Sequence, residues 1–102
     1  MTTAETLIAQ LPQGSCVPLA TLTAIAPEID VDIRNAMARE GIVQPAGKRG
    51  PHGAYMVSWE DAALALVAVA LAVVAGVAII TVARVIKESG LDPMALARDM
   101  KV

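Results

Sequence analysis

Apolar and polar positions alternate along the chain in a way that changes three times. Over residues 3–11, Leu7, Ile8 and Leu11 fall at i, i+1 and i+4, the single stripe of a short amphipathic helix that Pro12 to Gly14 ends. Residues 16–18 predict a brief extended segment. Leu19, Leu22 and Ile25 then recur every third position in a second helix, which Pro18 opens and Pro27 closes. A third helix begins at Asp30 or Asp32, either of which can cap it, and runs over DIRNAMARE with Ile33 and Met37 facing inward. Gly41 suits its carboxyl-terminal end. Past Gly41 the period falls towards two. Residues 42–45 and 54–59 predict two short strands around a Gly-rich loop, and Pro45 restricts the first to an edge or an end.

Ser58, followed by Asp61 three positions on, matches a capping-box pattern, and Glu60 and Asp61 sit where a helix dipole favours carboxylates. The pattern therefore predicts a long helix over residues 59–89, about 46 Å in length, with Gly90 at its end. Its body, AALALVAVALAVVAGVAIITVA (62–83), holds no charge, and its only polar side chain is Thr81. The eleven large aliphatics in it sum to about −5 kcal/mol on an insertion scale, and 22 helical residues rise about 33 Å against a hydrocarbon core of roughly 30 Å. The expectation is a transmembrane span. The competing reading, a central helix buried in a soluble assembly, requires partners, because 102 residues offer little material to cover such a helix on every face. Asp92-Pro93 opens a short, weakly amphipathic tail helix carrying Leu96 and Met100.

Composition narrows the chemistry. A mean hydropathy of +0.60 reflects mainly the apolar run. The net charge of −2 argues against a strongly basic nucleic-acid glove. Cys16 is solitary, so neither an internal disulfide nor a cysteine metal cage can form. One Tyr, one Trp and no Phe leave little for base stacking. No nucleophile–base pair, no metal-ligand spacing and no phosphate-loop motif occur, so neither an enzyme nor a cofactor is expected.

Three helices followed by a two-stranded hairpin with a basic, Gly-rich tip is the element order of a winged helix-turn-helix. Through PLATLTAIAPEIDVDIRNAMAREGIVQPAGKRGPHGAYMVS, and above all Arg39 to Val43 followed by a wing and a Tyr55-x-Val57 return strand, residues 3–59 resemble that superfamily, in the style of the small MarR-like and ArsR-like bacterial regulators. The resemblance implies that the third helix is the recognition helix, with Arg34, Asn35 and Arg39 as contacts to double-stranded DNA or a protein partner. Lys48, Arg49 and His52 would be the wing contacts. Residues 1–61 carry seven acids (Glu5, Glu28, Asp30, Asp32, Glu40, Glu60, Asp61) against four bases (Arg34, Arg39, Lys48, Arg49), a net of −3, which weakens attraction to phosphate. DNA and protein contact both stay open.

The sequence reading is thus mainly α with a small β-hairpin: a winged-helix domain over 1–58, a long helix over 59–89 with a span at 62–83, and a tail over 90–102. Ala68, Ala72 and Gly76 recur every fourth position, a small-residue face expected to pack against another transmembrane helix, in a homo-oligomer or in a complex. The expected location is a membrane, single-pass. The amino terminus, which lacks a secretory signal, stays in the cytoplasm; Arg84, Lys87, Arg98 and Lys101 after the span favour the opposite orientation. The expected function is a membrane-anchored module tethering DNA or protein. The alternatives are a structural subunit of a membrane complex or membrane-containing virion that uses protein contacts only, and a soluble oligomer that bundles its long helix.

Overall fold

The computed structural model describes residues 4–46 and 55–99. The elements in chain order are α1 (Ala4–Ile8), β1 (Cys16–Pro18), α2 (Ala20–Ile25), α3 (Val31–Arg39), β2 (Met56–Ser58), α4 (Trp59–Ala75), α5 (Ile79–Ser89) and α6 (Pro93–Asp99). Local chemistry sets several of the ends. Asp30 caps α3, its Oδ1 accepting from the Ile33 N–H at 2.9 Å. Ser58 caps α4, its Oγ accepting from the Asp61 N–H at 3.1 Å. After α3, Gly41 at φ +74° lets the Ile42 N–H turn back to the Met37 carbonyl (2.9 Å), a bond that closes the helix end.

The sheet differs from the predicted hairpin. β2 pairs antiparallel with β1, placing Cys16 opposite Ser58, Val17 opposite Val57 and Pro18 opposite Met56. On the other side of β2, among the described residues, Pro45 bridges to Val57 and the Ala46 N–H donates to the Met56 carbonyl (2.9 Å). Ile42 and Val43 are buried without forming a strand, since Pro45 has no N–H to extend a ladder. Further bonds carry the pairing past both ends of the ladder, from Leu19 N–H to the Tyr55 carbonyl (2.8 Å) and from Trp59 N–H to the Ser15 carbonyl (2.9 Å).

The predicted 59–89 helix does not form as one element, and the single-pass membrane span is overturned with it. α4 stops at Ala75, where Gly76 takes a left-handed conformation (φ +69°) and the Gly76 and Val77 N–H groups both return to the Ala72 carbonyl at 2.8 and 3.2 Å. Ala78 is extended, and α5 then runs back along α4 as the second arm of a helical hairpin. The 17 residues of α4 rise only about 26 Å and the 11 of α5 about 16 Å, short of the roughly 30 Å hydrocarbon core. No helix among the described residues is long and apolar enough to cross a membrane.

The break lets this small chain bury the first half of its apolar run. Residues 62–70 of α4 are buried on every side, as a helix apolar all round must be. α5 covers one flank with Ala83 and Ile86, while α1, α6, α2 and the sheet cover the others. Five of those nine positions are Ala, so α4 is thin and needs little material around it. Below it, Leu22, Ile29, Met37, Val17, Val43 and Val57 fill the space between α2, α3 and the sheet. α6 joins this core through Ala97, with Met94 and Leu96 half-buried against it. Among the described residues no charged or polar side chain is buried.

Candidate interaction surface

The residues singled out by the resemblance separate into three groups. Arg34, Asn35 and Arg39 all lie on α3. Val31, Asn35 and Arg39 follow one another at four-residue spacing and are all exposed, so they share one outward line of the helix. Arg34 is half-buried and shares with Asn35, Leu19, Ala20 and Tyr55 the lining of a shallow recess of about 230 Å³. Lys48, Arg49 and His52 lie outside the described residues. Ala68 and Ala72 are buried inside the chain itself, whereas Gly76 is exposed and forms the turn.

Two ion pairs that sequence reading did not anticipate tie α5 to its neighbours. Arg84 on α5 pairs with Glu40 at the end of α3, and Lys87 Nζ meets Asp61 Oδ1 at 3.1 Å. The hydrogen bond and charge of Glu40 raise the Arg84 guanidinium above the ordinary arginine range. Asp61 makes a second contact, its Oδ2 accepting from the Gln44 N–H at 3.1 Å. One carboxylate thus ties α4 both to α5 and to the segment beyond α3. The cue was the i, i+3 spacing of Arg84 and Lys87 on one side of α5, away from the buried pair Ala83 and Ile86.

The most exposed apolar surface was missed altogether by sequence reading. Every residue from 73 to 78 is exposed, with Val73 at 66%, Val74 at 75% and Val77 at 44%. Beside this turn, Leu7 of α1, Gln10 just after it, Ile25 of α2, Pro27 and Glu28 after that, and Val69, Ala70, Val73 and Val74 of α4 enclose a groove of about 410 Å³. Ridge and groove are one continuous feature, since Val73 and Val74 belong to both. A larger recess of about 570 Å³ between α1, Trp59 and α6 is rimmed by Glu5, Gln13 and Arg98. Among the described residues no three of His, Cys, Asp and Glu come close enough together to hold a metal ion.

With this geometry in view, comparison with known proteins adds no relative: no family model, curated protein or solved structure matches the chain.

Proposed function

We propose that the chain is a non-enzymatic binding module, a winged-helix-type unit that works as a subunit through protein contacts, with a second copy of itself as the first partner. The observation that carries this reading is the uncharged turn between α4 and α5. Contiguous exposed apolar surface rimmed by polar residues marks interaction sites on small proteins, and here three exposed valines stand within five positions. No charge lies between Asp61 and Arg84, so two such turns can meet without repulsion or the cost of burying an ion. A two-fold contact suits a surface in which ridge and groove adjoin, because each copy offers both halves. The winged-helix part of the reading is supported by the element order α1-β1-α2-α3 and by β2 lying between β1 and Pro45.

Sedimentation equilibrium on the full chain tests the proposal. A concentration-dependent dimer that is lost in Val74→Glu, with the circular dichroism unchanged, supports it. A monomer at all accessible concentrations overturns it.

A second reading, contact with duplex DNA through α3, is favoured by the outward line of Asn35 and Arg39. Its test is salt-dependent binding to a duplex that weakens in Arg34→Ala and Arg39→Ala.

A further inference from the structure

We propose that the dimer forms by exchange: α5 and α6 of each copy leave their own α4 and pack on the α4 of the other, with residues 76–78 as the hinge. This rests on the self-association proposed above and specifies its mechanism.

The turn is where the sequence and the monomer disagree. A helix–helix turn that always faced water would be expected to carry Gly, Asn, Asp or Ser for its conformation and polarity. This one reads Val73-Val74-Ala75-Gly76-Val77-Ala78-Ile79, and the N-cap of α5 is Ala78, which has no side chain able to cap it. Only Gly76 matches the conformation required. If Gly76 adopts helical angles, α5 swings away from its own α4 and the two helices run on as one. The detached arm then needs a surface like the one it left, and a second copy supplies it.

In an exchanged pair the two long helices run antiparallel and cross at their hinges. Val73, Val74 and Val77 of one copy then face the same residues of the other and leave water, which the monomer cannot arrange. Nothing else is lost. Ala83 and Ile86 still cover an α4, Arg84 still meets a Glu40, and Lys87 still meets an Asp61, each now in the other copy. Because the intrachain contacts are reproduced between chains, the balance is decided at the hinge and by the valines around it.

The hinge can be biased alone. A Cβ added at Gly76 meets nothing within 4 Å, so Gly76→Ala acts only through the backbone. It disfavours φ +69° and favours helix, and should raise the dimer association constant about tenfold or more. An unchanged or lowered constant overturns the exchange.

Charge reversal distinguishes exchange from simple docking at the turn. Glu40→Arg and Arg84→Glu each place like charges together within one chain. In an exchanged heterodimer of the two variants, both crossings become Arg–Glu pairs. Equimolar full-length chains, mixed, warmed briefly below their unfolding temperature and weighed by native mass spectrometry, should give a ratio of heterodimer to total homodimer about fivefold above the statistical one-to-one. Dimers in statistical proportion overturn the exchange while leaving self-association standing. No dimer of the unmodified chain at any concentration overturns both.

Discussion

Lys87 donates to Asp61 across 3.1 Å, joining the last turn of α5 to the first turn of α4. The two residues are 26 positions apart, and in an unbroken helix they would be separated by about 39 Å. The pair therefore exists only because the chain doubles back at Gly76.

The partners in this pair are not equivalent. Lys87 is an exposed cation with one carboxylate to meet, so Lys87→Ala should lower stability by less than about 1 kcal/mol. Asp61 is well shielded and also accepts from the Gln44 N–H. Asp61→Ala should cost about 1–3 kcal/mol. Urea unfolding of the two variants under identical conditions should show the aspartate variant falling further, with little change in the slope.

Helix capping gives a second expectation. Ser58 Oγ receives the Asp61 N–H at the point where β2 becomes α4. Removing the oxygen in Ser58→Ala should destabilise the protein by about 1 kcal/mol. Ser58→Asp, which keeps an acceptor there, should recover most of that in the same thermal melt.

The contact between α4 and α5 sets a third. Ala68 on α4 and Ala83 on α5 are both fully buried, and the helices meet with small side chains between them. Ala68→Leu or Ala83→Leu should cost about 1–3 kcal/mol by overpacking. Val77→Ala at the turn should stay within about 0.5 kcal/mol in the monomer. Denaturant midpoints measured at a concentration low enough to exclude dimer separate the two classes.

Local signals were the legible ones. Asp30, Ser58 and Gly41 act through bonds within a few residues, so their caps and stops could be read directly. The single long helix was misread because hydropathy over 62–83 sees no charge and ignores geometry. Two cues in that stretch pointed the other way. Gly76 is the residue most able to end a helix, and beyond it Ala83 and Ile86 face inward while Arg84, Lys87 and Glu88 face out. So short a chain does cover residues 62–70 of its apolar helix, against expectation, because side-chain size decides the matter and an Ala-rich helix is slender. The pairing of β1 with β2 was hidden because residues 16–18 and 56–58 are each only three long and 40 positions apart. The exposed valines were unreadable because exposure depends on where the turn falls.

The junction between β2 and α4 contains no spacer: Ser58 ends the strand and caps the helix, and the Trp59 N–H is held by the Ser15 carbonyl. Mechanically this makes α4 a stiff arm with its bearing in the sheet. A tilt of about 10° at that bearing would sweep the Gly76 end through about 4 Å, given an arm of about 26 Å. A partner pressing on β1 would thus act on the valines together with α1, α2, α5 and α6, which are packed around α4 and move with it.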